Sequence, residues 1–176
     1  VAHGKLTLHD QICTYLEHCP GAWVAITIQE LLSHTSGLPM EAPGNDPFKL
    51  EPVDTAIRRA YAMPLRFKPG ARWAYSNLGY GILVEIIQKV SGEPWPQFFS
   101  KHIFEPLGMR ATRVTSVFDV IPHRASGYLF RDDKLHNVAP LIAMRPGGAF
   151  VSTLDDMIRW DAAVTHHTLL PKAAQQ

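Results

Sequence analysis

Residues 69–92 read PGARWAYSNLGYGILVEIIQKVSG, and they contain the clearest structural pattern of the chain. Pro69-Gly70 marks a turn. From Leu78 onward the apolar side chains recur at intervals of three and four positions, which is the periodicity of one face of a helix. Gly92 follows the last of them and suits a left-handed C-cap. The stretch therefore predicts a turn followed by an amphipathic helix from Leu78 to Gly92.

The three residues before this helix, Tyr75-Ser76-Asn77, are expected to be extended, with Ser76 or Asn77 free to act as the N-cap. Side chains two positions apart share a face in an extended segment, whereas on a helix they diverge by about 200°. Tyr75 and Asn77 should therefore point into one cleft while Ser76 points away from it. A capping Asn beside a packed Tyr is the alternative interpretation of the same residues.

Two further helices are predicted before this stretch. Thr27-Ile28-Gln29-Glu30 reads as a capping box, in which the threonine and glutamate side chains each accept a hydrogen bond from the other residue's backbone N–H. This short helix should end where Gly37 supplies a left-handed C-cap. Residues 40–52 are rich in proline and are expected to form a surface loop. Asp54 can then cap a helix that runs to about Met63.

The C-terminal half predicts a hairpin and two more helices. A helix beginning at Pro94 and running through Phe104 should end at Pro106, since proline suits a first turn and stops a helix that reaches it. Residues 126–138 suggest two short strands around a polar turn. The threonine and aspartate of segment 153–156 repeat the capping-box pattern and should begin the last helix.

The composition restricts the classes of function. The 176 residues are 46% hydrophobic and 19% charged, which suffices for one packed core. The 17 basic and 16 acidic side chains include no basic run, so nucleic acid is not expected as a partner. No apolar run approaches the roughly 20 residues that cross a bilayer, so no transmembrane segment is expected in this stretch.

The cysteines and histidines do not form a recognisable site. Cys13 and Cys19 are the two cysteines of the chain, and on a short helix they would lie on different faces. A disulfide between them is therefore not expected. His9 and His18 lie nearby without a metal-ligand spacing, so neither a metal nor a cofactor is predicted.

Three segments follow one another in a distinctive order. They are ITIQELLSHTSGLP at residues 26–39, PGARWAYSNLGY at 69–80, which continues to IFEPLGM at 103–109, and GGAFVSTLDDM at 147–157. Together they resemble the class C serine β-lactamases and their esterase, D-aminopeptidase and D,D-peptidase relatives. The resemblance implies an α+β, penicillin-recognising fold, in which a mostly helical lobe lies beside an antiparallel sheet flanked by helices. This chain is similar to the helical lobe, with most of the sheet missing.

Two motifs of that family are absent from the sequence. Its chemistry begins with a Ser-x-x-Lys motif whose serine is acylated, yet no serine here has a lysine at the required place. No later Lys-Thr-Gly or His-x-Gly motif occurs either. The chain opens at Val1 without Met and stops in Pro171–Gln176 without a closing element. Residues 1–176 are therefore expected to be one incomplete domain, the middle segment of a larger one, and inactive alone.

The resemblance implies roles for four residues. Tyr75 would transfer protons, and Asn77 would position a small-molecule or peptide substrate. Gly147 and Gly148 would bring backbone close to the substrate at the active-site rim, although a flexible turn is the alternative. The parent protein would hydrolyse a β-lactam, a D-amino-acid peptide or a small ester through an acyl-serine intermediate, in the periplasm or outside the cell. A non-catalytic binding or regulatory module with this fold is the alternative function.

Overall fold

The structure, a computed structural model, describes residues 4–46, 49, 51–115, 118–138 and 148–170. Its α-helices are α1 (Ile28–Leu32), α2 (Val53–Ala60), α3 (Asn77–Ser91), α4 (Trp95–Phe99) and α5 (Leu154–Thr165). Its strands are β1 (Arg113–Val114), β2 (Tyr128–Arg131), β3 (Lys134–Asn137) and β4 (Phe150–Val151). Short 3-10 helices at Ile12–Thr14 and Gly21–Trp23 precede α1, and a π-helical turn at Ser100–Phe104 continues α4. The expected α+β, mostly helical class is confirmed.

Helix α3 has the boundaries that its apolar periodicity predicts. Ser76 is the N-cap, and its hydroxyl oxygen accepts a hydrogen bond from the Gly79 N–H at 3.0 Å. Gly92 ends the helix in the left-handed conformation, with φ 75°. The main buried cluster consists of Ile12, Leu16, Trp23, Ile26, Ile28, Leu31, Leu38, Ala42, Ile57, Ala60, Leu78, Ile82 and Ile86. Burial of each large apolar side chain contributes about 1.5–3 kcal/mol, so α3 is held mainly by the three residues it places in this core.

Helix α1 begins with the predicted capping box but ends before the predicted glycine. Thr27 Oγ1 accepts from the Glu30 N–H at 3.3 Å, and Glu30 Oε2 accepts from the Thr27 N–H at 2.8 Å. The C-cap is Ser33, and His34 after it is left-handed, with φ 57°. The prediction that Gly37 ends this helix is wrong, because His34 takes the conformation that glycine usually supplies.

Gly37 is needed for a close backbone approach. It has φ 78°, and a Cβ at this position would collide with the Phe67 carbonyl oxygen. The Gly37 carbonyl accepts a hydrogen bond from the Arg66 N–H at 2.8 Å. The glycine therefore lets the segment around Phe67 pack directly on the loop after α1.

Helix α2 is shorter than predicted and has another cap. Its N-cap is Pro52, with no side-chain capping bond. Asp54 lies within the first turn, where it forms an ion pair with Arg58 at 3.4 Å. A carboxylate there is still favourable, because the helix dipole is positive at its N-terminus. The helix stops at Ala60, well before Pro64 would exclude the helical conformation.

An aromatic core lies where α3, α4 and β4 meet. Its members are Val84, Trp95 and Ala149, with Phe99, Val114 and Phe150 packed against them. Strands β1 and β4 pair antiparallel, with Val114 opposite Phe150. Two-residue strands carry no alternating pattern, and the sequence interpretation missed this pair.

The two strands and the polar turn predicted within residues 126–138 form a β-hairpin. Strands β2 and β3 pair antiparallel, with Arg131 opposite Lys134. Between them, Asp132 and Asp133 have φ 51° and 57°. Two successive positive φ values define a type I′ turn, the hairpin turn that matches strand twist, and aspartate tolerates this conformation better than most residues.

Helix α5 has half of its predicted capping box. Thr153 Oγ1 accepts from the Asp156 N–H at 3.3 Å, as expected. The Asp156 carboxylate instead accepts from the Ala111 N–H at 2.8 Å and from Thr112 Oγ1 at 2.9 Å. Desolvation alone would raise the pKa of this buried carboxyl, but the hydrogen bonds from Thr112 and Ala111 outweigh it and lower the pKa. Asp156 thus fastens α5 to the segment before β1.

Cys13 and Cys19 form a disulfide, so the expectation of none is wrong. The assumption of one continuous helix fails because the 3-10 helix ends at Thr14. The chain then turns back at His18, which has φ 54°, and the two Cα atoms come within 5.4 Å. That separation is within the range that a disulfide requires.

Candidate active site

Two segments that are distant in sequence lie side by side at the N-terminus of α3. They are the loop after α1 (residues 33–41) and the Tyr-Ser-Asn segment (residues 73–77). The Ala74 N–H donates to the His34 carbonyl at 2.9 Å. The Ser76 N–H donates to His34 Nδ1 at 3.3 Å, and the Asn77 N–H donates to the Met40 carbonyl at 2.9 Å. These bonds fix the backbone of the Tyr-Ser-Asn segment against the loop.

Ser76 is buried and serves the structure. Its backbone is extended, with φ −141° and ψ 111°. Its hydroxyl donates to the Pro39 carbonyl at 2.7 Å and accepts from the Gly79 N–H at 3.0 Å. A hydroxyl that caps α3 and binds the loop is not an available nucleophile. Ser76 points into the protein, as the extended interpretation expects.

Tyr75 remains accessible beside this buried serine. Its side chain is 46% exposed, and its ring packs on the His34 imidazole with centroids 4.6 Å apart and planes 39° apart. Among the described residues, none hydrogen-bonds the Tyr75 phenol oxygen. The phenol is therefore held by its ring while its oxygen can meet a substrate or another side chain.

Asn77 begins α3, and a carboxylate sets the orientation of its amide. Its Nδ2 donates to Glu41 Oε1 at 2.6 Å, while Glu41 Oε2 accepts from Asn45 Nδ2 at 3.0 Å. A carboxylate can only accept, so the nitrogen of the Asn77 amide must face Glu41. The amide oxygen and the second N–H of Asn77 remain for other partners. The Asn77 backbone N–H donates to the Met40 carbonyl at 2.9 Å, which closes the contact with the loop.

A small cavity lies next to Asn77. It has a volume of about 40 Å³, and its lining includes Glu41, Val53, Ile57 and Gly81. A cavity of this size can hold a water molecule, which needs roughly 10–15 Å³, but it is far too small for a peptide or β-lactam. This cavity is therefore not a substrate site of that size.

Gly147 lies outside the described residues. Gly148 is exposed and has φ 87°, a conformation that strongly favours glycine. Nothing lies within 4 Å of the position that its Cβ would take, so neither Tyr75 nor Asn77 packs there. Gly148 is required for its backbone angle, and its role at the substrate rim stays a prediction.

Two residues of this site were missed by sequence reasoning. Glu41 lies at the start of a stretch that reads as a surface loop, and nothing in its spacing points to Asn77. His34 lies two positions before Ser36 in the first segment of the family resemblance, but its contacts with the Tyr-Ser-Asn segment depend on the tertiary fold. In the structure Ser36 is buried and its Oγ accepts from the Leu38 N–H at 3.4 Å, so it does not pair with His34.

No group of His, Cys, Asp or Glu that could hold a metal ion occurs among the residues that the structure describes. Within the same ranges, every helix is too short or too polar to cross a bilayer.

Comparison with known proteins identifies the family of this chain. The Beta-lactamase family model matches residues 1–176. PbpX of Bacillus subtilis is 34% identical over 166 residues, which cover 92% of this chain and 40% of PbpX. The D-alanyl-D-alanine-carboxypeptidase/endopeptidase AmpH of Escherichia coli is 30% identical over 167 residues, covering 89% of this chain and 42% of AmpH.

The fold agrees with solved structures of similar proteins. The D-stereospecific amidohydrolase from Streptomyces sp. superposes with a TM-score of 0.81 at 26% identity, over 99% of this chain and 58% of that protein. The chain thus spans less than half the length of the two curated relatives and about three fifths of this structure. The match of the family model over the whole chain shows that this protein belongs to the Beta-lactamase family.

Proposed function

We propose that this chain is the helical part of an acyl-transferring serine hydrolase, in which Tyr75 transfers protons and Asn77 positions the substrate. The observation that supports this most directly is the contrast within one tripeptide. Ser76 is buried and fully engaged, whereas Tyr75 is 46% exposed and Asn77 has its amide oriented by Glu41. The phenol of Tyr75 is thus accessible to a substrate, whereas the serine hydroxyl beside it is not.

In this proposal Tyr75 acts on a serine that residues 1–176 do not supply. The serine oxygen attacks the carbonyl carbon of the substrate while its proton passes to the Tyr75 oxygen. Tyr75 then gives the proton to the departing amine or alcohol, which leaves an acyl-serine. Water releases the acyl group in a second cycle of the same proton transfers. A phenol is a poor base at neutral pH, so the complete site needs a cation near Tyr75, such as the lysine of a Ser-x-x-Lys motif.

Asn77 would hold the amide that lies next to the reacting carbonyl. Because its nitrogen faces Glu41 at 2.6 Å, its oxygen is the group best placed to accept a substrate N–H. Its second N–H can donate at the same time. A substrate held at this end cannot rotate freely, which keeps its carbonyl in line for attack.

The substrate class that we propose to test first is an amide beside a D-amino acid. AmpH is a D-alanyl-D-alanine carboxypeptidase and endopeptidase, and the Streptomyces protein is a D-stereospecific amidohydrolase. A β-lactam is a cyclic amide, so it belongs to the same chemistry. Small esters are the third substrate class that the same acyl-serine mechanism serves.

The test combines the reading frame with covalent labelling. A complete reading frame with Ser-x-x-Lys upstream of Val1 is expected, and its protein should be labelled by a fluorescent penicillin at that serine. Residues 1–176 alone should not be labelled. A complete frame without that motif would favour a non-catalytic module, and labelling of the isolated chain would mean that another residue is the nucleophile. Mass spectrometry of the adduct would then locate that residue.

A further inference from the structure

His34 occupies a backbone position where glycine is usual. The Schellman motif that ends α1 has His34 at its left-handed position, with φ 57°. The His34 N–H donates to the Leu31 carbonyl at 3.2 Å, and the Thr35 N–H donates to the Glu30 carbonyl at 2.9 Å. A left-handed residue with a side chain costs about 1–2 kcal/mol relative to the right-handed form, a cost that glycine avoids. Histidine adopts this conformation more readily than most residues, and the side chain of His34 makes further contacts.

The polar contacts of His34 reach the Tyr-Ser-Asn segment. Its carbonyl accepts from the Ala74 N–H at 2.9 Å, and its Nδ1 accepts from the Ser76 N–H at 3.3 Å. An imidazole nitrogen accepts only when it carries no proton, so the proton of the neutral ring lies on Nε2. His34 thus binds the segment on both sides of Tyr75, once through its backbone and once through its ring.

The imidazole also lies within a group of aromatic rings. It is 4.6 Å from the Tyr75 centroid and 4.9 Å from the Tyr80 centroid, with planes 26° apart in the second pair. It meets the exposed Trp73 edge-on at 6.1 Å. The Tyr80 hydroxyl donates to the Leu32 carbonyl at 3.2 Å, which fixes that ring on the end of α1. Rotation of the Tyr75 ring away from its present position would therefore break its ring contact with His34.

From these contacts we infer that His34 is a positioning residue of the site, which sets the backbone at Ser76 and the ring orientation of Tyr75. The inference rests on the proposed function for the catalytic consequence, but the geometric consequence is independent of it. His34 does not touch the reacting atoms. It acts through Tyr75, by keeping the phenol in one orientation at the head of α3.

Three variants of the complete protein separate the contributions of His34. His34→Asn keeps a side chain that tolerates the left-handed conformation and an acceptor close to the position of Nδ1, but removes the ring. His34→Phe keeps a ring and removes the acceptor. His34→Gly removes both and leaves the backbone unstrained. His123→Gly is the matched control, because His123 is also left-handed, with φ 58°, and is exposed.

The first readout is nuclear magnetic resonance, which does not depend on activity. In the unaltered protein the ¹⁵N spectrum should show Nδ1 unprotonated and Nε2 protonated. Hydrogen exchange of the Ser76 amide should accelerate in His34→Phe and His34→Gly and be restored in His34→Asn. The ring resonances of Tyr75 should shift in His34→Asn and His34→Gly, and the control should change neither signal. Unchanged Ser76 exchange and Tyr75 resonances in His34→Gly would overturn the inference.

The second readout is the kinetics of the complete enzyme on a substrate that it hydrolyses. His34→Gly should lower kcat by about tenfold to a hundredfold, the scale expected for a misplaced catalytic group, with a smaller change in KM. A loss confined to KM would contradict a role through Tyr75. If the resonance changes occur while Tyr75→Phe itself leaves kcat unchanged, the proposed function fails and the structural positioning by His34 stands.

Discussion

Asn77 Nδ2 lies 2.6 Å from Glu41 Oε1, so a loop carboxylate determines which end of the Asn77 amide faces outward. The second oxygen of Glu41 is held by Asn45 at 3.0 Å, so the carboxylate itself cannot rotate without losing a hydrogen bond. A hydrogen bond to a charged group contributes about 1.5–3 kcal/mol, roughly twice a neutral one. Glu41 is therefore expected to affect substrate binding although it does not have to touch the substrate.

Replacing Glu41 with alanine should release Asn77 and lower kcat/KM of the complete enzyme by about tenfold to a hundredfold, the equivalent of one such hydrogen bond. Glu41→Gln is the matched control. Its amide oxygen can still accept from Asn77, so it should retain more activity than the alanine variant. Steady-state kinetics on a D-amino-acid amide would measure both. Equal activities of the two variants would show that Glu41 does not act by orienting the Asn77 amide.

Tyr75→Phe should lower the rate of acylation or deacylation by about 10² to 10⁴, the usual range for a general acid–base group. The free energy of unfolding should change little, because the ring and its contact with His34 are kept. Stopped-flow acylation and urea denaturation would measure the two quantities. Normal kinetics in a well-folded variant would reduce Tyr75 to a packing residue.

The parts of the fold that depend on local sequence could be predicted. Helix α3 follows from its periodicity together with the caps at Ser76 and Gly92, and all of these signals lie within one short stretch. The Asp132-Asp133 turn is equally local. These elements need no knowledge of what packs against them.

The parts that depend on tertiary contacts could not be predicted. Strands β1 and β4 have two residues each and pair across a long separation, so no pattern marks them. The contact between Glu41 and Asn77 joins a loop to a helix start 36 positions away. The left-handed residue that ends α1 is His34, which also contacts residues distant in sequence. The sequence pattern instead predicts that the left-handed residue is the nearest glycine, Gly37. The catalytic roles came from the family resemblance, and they remain predictions.

Removal of the Cys13–Cys19 disulfide should lower the free energy of unfolding by about 2 kcal/mol, the chain-entropy value for so short a loop. Replacing both cysteines with serine and comparing urea denaturation with the unaltered protein would measure it. Dithiothreitol should destabilise the unaltered protein and leave the serine variant unchanged. A reductant effect of equal size in both would show that the disulfide is not its cause.

The ionisation of Asp10 should make the free energy of unfolding depend on pH in the acidic range. Hydrogen bonds from the Thr7 hydroxyl, from Tyr15 and from the Thr7 N–H lower the pKa of Asp10 from 3.8 to about 2. Because the folded state favours the carboxylate, this stabilisation is present above the unfolded pKa and is lost as pH falls through the folded one. Stability should therefore decrease between about pH 4 and pH 2, and less steeply in Asp10→Asn. Titration of the Asp10 carboxyl by nuclear magnetic resonance checks the midpoint, and a value near 4 would contradict the prediction.

Helix α5 places an apolar surface outside the described core. Leu154 and Ile158, four positions apart on one face, are 77% and 59% exposed. The relatives are more than twice as long as the region matched here, so further parts of a longer protein can cover this face. Residues 1–176 alone should bind a hydrophobic dye, and a Leu154→Ser/Ile158→Ser double variant should bind less of it without losing stability.

In the complete protein the same double substitution should have the opposite consequence for stability. If the face is covered there, losing two buried apolar side chains should lower the free energy of unfolding by about 1.5–3 kcal/mol per residue. Dye binding should be low before and after the substitution, unless the variant unfolds. Equal stability of the complete protein and its double variant would mean that this face of α5 remains in water in both forms.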